Sequence, residues 1–207
     1  MKHTPARALT LGLGLLLVAS TAIADSSKST FFNGKNLDGF EGKDLWSVKD
    51  GSIVADTGPK GIRGNTFLCS KIEYGNFELS FQVRLKGGKG NSGVQIRSTV
   101  IDKKNYVVKG PQCDIGQVYW GSLYGEKFGG MMKKAPTAKV KKALKPTEFN
   151  DYYIKAVGKH VTIKLNGETM VDQAFDKMPL KGIIAFQAHA GPSMEVTFRN
   201  IKFTQLK

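Results

Sequence analysis

Two short stretches of this sequence place hydrogen-bonding side chains two residues apart. Gln95 and Arg97 alternate with apolar residues in the first stretch, and Gln112 and Asp114 do so in the second. Side chains two apart on a β-strand lie on the same face, so we expect each pair to point in one direction. Amides, a carboxylate and a guanidinium on a sheet face can bind the hydroxyl groups of a sugar. The same pattern also fits a solvated sheet face, and both interpretations stay open at this point.

An aromatic, glycine-rich segment follows the second pair and reads YWGSLYGE over residues 119–126. Flat rings beside polar groups suit sugar rings, which present apolar faces as well as hydroxyls. A further polar residue, Gln187, lies in a strand-like run near the C-terminus. The candidate substrate-binding residues are therefore Gln95, Gln112, Tyr119, Trp120, Tyr124, Glu126 and Gln187.

The second stretch argues against ordinary two-carboxylate glycoside hydrolysis. Sandwich-fold β-glucanases carry Glu-x-Asp-x-x-Glu on one strand, and the two glutamates supply the nucleophile and the acid. Here Gln112 and Gln117 stand at the glutamate positions around Asp114. An amide can neither attack as a carboxylate does nor donate a useful proton, and this strand supplies one carboxylate where two are needed.

His189 follows Gln187 on the same predicted strand face and precedes Gly191-Pro192. It is either a hydrogen-bonded histidine at a strand end or a base at the mouth of a groove. Asp114, Glu126 and His189 could also converge on a divalent metal ion, although their spacing matches no compact metal motif. No cofactor can be named from the sequence.

The elements that would position these residues are short strands. The clearest runs from Asn76 to Leu85, where apolar and polar residues alternate, and Gly182 to Ala190 is a second. Asp50-Gly51 and Asn166-Gly167 are two-residue turns typical of β-hairpins. No stretch has a helical period beyond about one turn. We predict an all-β fold, a two-sheet antiparallel jelly-roll sandwich with almost no helix.

The N-terminus has the features of a secretory signal peptide. A basic start precedes an apolar run over residues 8–19, and Ala22-Ile23-Ala24 fits an A-x-A cleavage site. We therefore predict a signal peptide at residues 1–24, a single domain over residues 25–207, and export to the periplasm or outside the cell. No other run has the length of a membrane span. Cys69 and Cys113 are compatible with a disulfide or with two buried thiols.

The chain carries a formal net charge of +14. Much of it comes from a lysine-rich segment, residues 127–145, which we predict to be a long solvated loop. This charge could attract an anionic polymer such as an acidic polysaccharide, or support an adhesion function. Nucleic acid is not an expected partner, because arginines are few and no nucleic-acid motif is present.

A series of short segments runs in order through nearly the whole mature chain. The segments are FFNGKNLDGF (31–40), YGNFEL (74–79), NSGVQIR (91–97), QCDIG (112–116), WGSLYGE (120–126), LNG (165–167), GIIAFQAH (182–189) and FRNI (198–201). The series resembles the 3-keto-disaccharide hydrolase domain family, which has a concanavalin A-like jelly-roll fold. Two positions depart from the family pattern, since Gly125 replaces a usual Asp and Gln112-x-Asp114 replaces Glu-x-Gln.

The resemblance implies cleavage of glycosides already oxidised at C3 of the sugar. A C3 ketone acidifies the C2 proton, so a base can start an elimination that expels the C1 substituent, and water adds afterwards. In this scheme His189 or Asp114 would be the base, and Arg97 or a metal ion would stabilise the enolate oxygen. Tyr119, Trp120 and Tyr124 would stack on the sugar rings. The alternative is a non-catalytic, lectin-like carbohydrate-binding module on the same fold.

Overall fold

The computed structural model describes Met1 and residues 31–207. Apart from Met1, the predicted signal peptide lies outside the described residues. Across the described part of the chain, no helix is long and apolar enough to cross a membrane.

Two seven-stranded sheets pack face to face, and every strand pairing in the described chain is antiparallel. The strands in chain order are β1 (Phe40–Glu41), β2 (Trp46–Lys49), β3 (Ser52–Asp56), β4 (Thr66–Tyr74), β5 (Phe77–Leu85), β6 (Asn91–Asp102), β7 (Val107–Gly116), β8 (Leu123–Glu126), β9 (Gly130–Lys133), β10 (Asn150–Val157), β11 (His160–Leu165), β12 (Glu168–Ala174), β13 (Gly182–Ala188) and β14 (Glu195–Gln205). Sheet I has the spatial order β1-β4-β13-β6-β7-β8-β9, and sheet II has the order β12-β11-β10-β5-β14-β3-β2. The predicted jelly-roll sandwich is confirmed.

Strand β5 in sheet II shows directly how the sequence pattern becomes a core. Its odd-numbered apolar residues are buried and the polar residues between them are partly exposed. The apolar face packs on sheet I through a cluster of aromatic rings, in which the Phe186 and Phe198 centroids are 4.7 Å apart. Burying each such side chain contributes about 1.5–3 kcal/mol, so this seam holds the two sheets together.

Both predicted hairpin turns are present. Asp50 and Gly51 have φ values of 47° and 70° between β2 and β3, and Asn166 and Gly167 have 48° and 82° between β11 and β12. Positive φ at both central residues is what a tight hairpin turn requires, and Asn, Asp and Gly tolerate it best.

The central strand β13 of sheet I is buried on both faces, and its neighbours β6 and β7 are buried on both faces over much of their length. Ile184, Phe186 and Ala188 of β13 belong to the core between the sheets. Ile183 and Ala185 point the other way and form a smaller cluster with Phe67, Cys69 and Val108. Gln187 follows Ile183 and Ala185 on this second face, which we call the outer face of sheet I.

The lysine-rich segment is more ordered than the sequence indicates. Strand β9 pairs with β8, and residues Thr137–Ala143 form the helix α1. The prediction of one long loop was wrong because Ala135 and Val140 are buried against the core. A 3-10 turn at Lys86–Gly88 is the other helical element of the described chain.

Cys69 and Cys113 are both free and buried. Burial, reinforced by Glu41, raises the pKa of Cys69 to about 12, and burial raises the pKa of Cys113 well above its usual value. Both thiols therefore stay protonated and serve as small apolar side chains.

Candidate functional site

A groove of about 620 Å³ lies on the outer face of sheet I, next to the turn that follows β7. It is lined by Asn65, Asn91, Gln112, Asp114, Tyr119, Tyr124, Glu126, Met131, Lys134, Gln187 and His189. Seven of the residues predicted from the sequence are thus brought together. Gln95, Arg97 and Trp120 are predicted site residues that do not line it.

Gln112 and Asp114 reach the groove because Cys113 and Ile115, which alternate with them on β7, are in the core. The Gln112 Nε2 donates to Asp114 Oδ1 over 2.8 Å. Room for this contact comes from Gly93, which lies opposite Asp114 on β6. A Cβ at position 93 would lie only 2.6 Å from Cδ of Gln112, so glycine there lets the amide lie flat across the sheet.

The backbone of Asp114 is held from three directions. Its N–H donates to the Ser122 carbonyl over 2.9 Å, and its carbonyl accepts from the Gly121 N–H over 3.0 Å. The hydroxyl of Tyr152, on β10 of sheet II, donates to the same carbonyl over 3.0 Å. The backbone that carries the carboxyl is therefore fixed by both sheets of the sandwich and by the turn that carries Tyr119.

Of the acidic residues in the described range 31–207, only Asp114 is buried, with 7% of its surface exposed. Burial raises the pKa of this carboxyl to about 7, the hydrogen bond from Gln112 lowers it, and the charge of Glu126 raises it further. A carboxyl with a pKa near neutrality is half ionised at physiological pH, so it can accept and return a proton. Glu126 comes from β8, so the groove contains a second carboxyl that the β7 sequence alone does not supply.

Strand β13 supplies Gln187 and, just past its end, His189. The Gln187 carbonyl accepts from the Ser92 hydroxyl over 2.7 Å, which ties this residue to β6. Next to it, the Ala190 N–H donates to Asn65 Oδ1 over 2.8 Å. These bonds fix the segment that brings both side chains to the groove.

The His189 ring is oriented by its own backbone. Nδ1 lies 2.6 Å from the Ala190 carbonyl oxygen. Since a carbonyl only accepts, Nδ1 carries the proton, and in the neutral ring Nε2 is the basic nitrogen. His189 is partly exposed, in keeping with a place at the mouth of the groove.

The expectation that Gln95 and Arg97 share a face was wrong. Arg97 has a φ of 47°, and the pairing of β6 with both neighbours shifts register beside it. This β-bulge breaks the period of two, so Ser98 takes the face of Gln95, and its hydroxyl lies 2.7 Å from the Gln95 side-chain amide. Gln95 itself is fully buried beneath the groove, where its amide lies 2.9 Å from that of Gln112.

Arg97 leaves the outer face and spans the interior towards sheet II. Its guanidinium donates to Asn76 Oδ1 and to four backbone carbonyls, those of Gly75, Ala156, Gly158 and Pro179. None of these partners lines the groove. Every N–H of the guanidinium has an acceptor, so Arg97 ties loops together and is not placed to stabilise an enolate.

Trp120 is also placed differently from the prediction. Only 3% of it is exposed, and it belongs to the core between the sheets. The turn at residues 116–122 folds back on Asp114, so Tyr119 faces the groove while the neighbouring ring turns inward. Tyr119 and Tyr124 are therefore the rings available to a sugar, and Tyr124 sits opposite Gln112 in the β7–β8 pairing.

Four lining residues were missed from the sequence, namely Asn65, Asn91, Met131 and Lys134. Asn65 and Asn91 lie at or next to strand starts, where polar residues are common and give no signal. Met131 and Lys134 come from the lysine-rich segment, and only the pairing of β9 with β8 brings them to the groove.

The residues present do not form a metal-binding cluster. In the described chain, no group of three or more His, Cys, Asp and Glu side chains is arranged to hold a metal ion. Asp114, Glu126 and His189 share the groove without meeting that condition, so no step of the chemistry is routed through a metal.

A family model described as a 3-keto-alpha-glucoside-1,2-lyase-like domain matches residues 27–204. Two proteins from Parabacteroides distasonis, provisionally described as glycosyl hydrolases, have similar structures. One is 21% identical with a TM-score of 0.65, covering 86% of this chain and 93% of that one. The other is 26% identical with a TM-score of 0.60, covering 83% and 96%.

The carbohydrate binding module CBM66 from Bacillus subtilis is similar in fold, at 16% identity and a TM-score of 0.56, over 82% of this chain and 94% of that one. No curated protein matches the chain significantly.

Proposed function

This chain belongs to the 3-keto-alpha-glucoside-1,2-lyase-like domain family, and on that premise we propose that it cleaves 3-keto-glycosides by elimination. The family match, together with the similarity to glycosyl hydrolase-like and carbohydrate-binding structures, gives the chain a carbohydrate-related function. The reaction and the roles of the residues below are our proposal.

The observation that carries the proposal is the state of Asp114. It is a buried carboxyl in the groove, with a pKa raised to about 7. Elimination next to a ketone needs one base whose pKa is near the working pH, and a positioned base contributes about 100- to 10,000-fold to the rate. The Asp114 carboxyl meets that requirement without a second residue acting as nucleophile.

In the first step the ionised Asp114 takes the proton from C2 of the 3-keto sugar. The electron pair of the broken C–H bond forms a C2–C3 double bond, and the ketone oxygen becomes an enolate oxygen. The other polar side chains of the groove would hold the sugar hydroxyls, and Tyr119 and Tyr124 would cover the faces of the ring.

In the second step the enolate returns its electron pair, a C1–C2 double bond forms, and the bond from C1 to the glycosidic oxygen breaks. The proton held by Asp114 passes to the departing oxygen, so the carboxylate is regenerated. Water can then add across C1 and C2 of the unsaturated ketone, which makes the net reaction a hydrolysis. His189, with a basic Nε2 at the mouth of the groove, is the second candidate for the proton-carrying role.

The test compares a 3-keto disaccharide with the parent disaccharide that carries a C3 hydroxyl. We expect the wild-type protein to cleave the ketone, to exchange the C2 proton for deuterium from D₂O, and to leave the parent intact. Asp114→Asn should lose both cleavage and exchange. Binding of both sugars with no turnover of either would contradict the proposal and favour the carbohydrate-binding module.

Glu126 supports a second candidate, ordinary glycoside hydrolysis. Its charge helps to raise the pKa of Asp114, and a pair of carboxyls can act as acid and base at a glycosidic bond. The same experiment decides between the two reactions. Cleavage of the parent disaccharide, with a loss of activity in both Asp114→Asn and Glu126→Gln, would establish hydrolysis without prior oxidation.

We also propose that residues 1–24 direct export of the protein. The basic start, the short apolar run and the A-x-A site support this. Cell fractionation followed by N-terminal sequencing should recover a mature protein that begins at Asp25 outside the cytoplasm. A protein that keeps Met1 and stays in the cytoplasm would contradict it.

A further inference from the structure

Gln187 carries a buried N–H group that no atom of the described chain accepts. The side chain is 0% exposed and lines the groove, yet its Nε2 has no hydrogen-bond partner. An unpaired buried donor costs about 1–3 kcal/mol, so such a group calls for a physical reason. The indole N–H of Trp46 is also unpaired, but Trp46 belongs to the core between the sheets and does not line the groove.

The orientation of the Gln187 amide is set by its neighbour. Its Oε1 accepts from Gln112 Nε2 over 3.4 Å, and the same Nε2 donates to Asp114 Oδ1 over 2.8 Å. The ionised Asp114 carboxylate only accepts, so Gln112 turns its NH₂ group towards it. With Gln112 fixed in that way, turning the Gln187 amide over would bring two NH₂ groups together, which is unfavourable because both only donate. While Asp114 is ionised, the Gln187 oxygen therefore faces Gln112, and the Gln187 NH₂ group is left without an acceptor.

Gln112 lies between the Asp114 carboxyl and the Gln187 amide. On one side it holds the Asp114 carboxyl, and on the other it holds the Gln187 amide, so the base and the unpaired donor are joined through a single side chain. The C2 hydrogen and the C3 oxygen of a 3-keto sugar are likewise on adjacent carbons. Asp114, Gln112 and Gln187 form a row of side chains in the groove. A sugar whose C2 hydrogen faces Asp114 has its ketone on the neighbouring carbon, beside this row.

We propose that the Gln187 Nε2 donates to the C3 oxygen of the substrate and stabilises the enolate, the role for which the family resemblance offered Arg97 or a metal ion. The assignment rests on the proposed function. The substrate group that Gln187 would recognise is the C3 ketone. The hydrogen bond from the amide to that oxygen becomes stronger as negative charge develops on it, so the bond favours the enolate over the ketone. Loss of one such donor costs about 100- to 1,000-fold in turnover in other enzymes.

The test is Gln187→Met, a side chain of similar length that cannot donate. On a 3-keto disaccharide we expect kcat and the rate of C2 deuterium exchange to fall about 100-fold, with KM changed less than about threefold, since the charge exists only in the transition state. Gln187→Glu should be slower still. Its carboxylate would oppose the enolate and shift the acid side of the pH profile above that of the wild type. A purely structural role would raise KM as kcat falls, so the split between the two parameters separates the two roles.

Gln82→Met is the matched control, because it makes the same chemical change on β5 of sheet II, away from the groove, and should keep wild-type kcat. If Gln187→Met does not fold, as judged by circular dichroism, Gln187→Leu, which cannot donate either, gives the same measurement. A wild-type kcat and a wild-type rate of C2 exchange in a folded Gln187 variant would overturn the assignment of Gln187 and leave the proposed function standing. Failure of the wild-type protein to act on any 3-keto sugar would overturn the proposed function and this assignment with it.

Discussion

Two sets of buried polar side chains on neighbouring strands of sheet I differ in how many of their hydrogen-bonding groups have partners. One is Arg97, and the other is the row of Asp114, Gln112 and Gln187. Arg97 gives all its N–H groups to fixed carbonyls and to Asn76. The row of Asp114, Gln112 and Gln187 keeps an unpaired donor at one end and a carboxyl with a pKa of about 7 at the other. A satisfied buried network stabilises a structure, whereas an incompletely satisfied one beside a groove is prepared for a ligand.

The two sets differ in what a substitution should change. Removing Arg97 should reduce the free energy of unfolding, whereas changes in the row of Asp114, Gln112 and Gln187 should reduce activity while the fold persists.

Asp114→Asn should reduce kcat on a 3-keto disaccharide about 1,000-fold, because the amide cannot take the C2 proton. In the wild-type protein kcat/KM should fall about tenfold per pH unit below pH 7, where Asp114 is protonated. Steady-state kinetics between pH 5 and pH 9 check both statements. His189→Gln is the companion variant, and a larger loss there than in Asp114→Asn would transfer the base role to His189.

Arg97→Met should lower the free energy of unfolding by at least about 3 kcal/mol, because several buried carbonyls lose their only charged donor. Urea denaturation followed by tryptophan fluorescence measures this change. Arg199→Met is the control, since Arg199 stacks on Phe149 at 3.6 Å on the other sheet and should contribute below about 1 kcal/mol. If Arg97→Met kept full stability and lost sugar binding, Arg97 would belong to the site after all.

Asp114→Asn should also stabilise the protein at pH 8, by up to about 4 kcal/mol, and have little effect at pH 4. The folded-state pKa of Asp114 is about 7, above its ordinary value of 3.8. The folded protein therefore binds the proton more tightly than the unfolded chain, and stability declines as pH rises between these two values. Thermal unfolding of both proteins across that window tests the sign, and equal pH dependence in the two would contradict it.

Gly93→Ala should reduce kcat about tenfold, roughly 1.4 kcal/mol in activation free energy. The added Cβ would displace the Gln112 amide from between Asp114 and Gln187. Gly64→Ala is the matched control, because a Cβ there meets nothing within 4 Å. The melting temperature of both variants shows whether the sheet itself is disturbed, and unchanged kcat in Gly93→Ala would show that the position of Gln112 does not matter.

The sandwich and much of its local geometry could be predicted from the amino-acid sequence. Alternation in Phe77–Leu85 and the turns at Asp50-Gly51 and Asn166-Gly167 depend on residues close together in the chain, so they could be predicted. For the same reason the faces of β7 and β13 were predictable, and with them Gln112, Asp114 and Gln187.

What those residues can do depends on contacts between parts of the chain that are far apart in sequence. The bulge at Arg97 follows from the register of β6 against its neighbours, and the inward turn of Trp120 follows from space in the core. Likewise the raised pKa of Asp114 depends on burial by distant strands, and the unpaired Nε2 of Gln187 depends on which acceptors the fold leaves nearby. A period of two assigns a side chain to a face, but its solvation and its partners are set by parts of the chain that are far away in sequence.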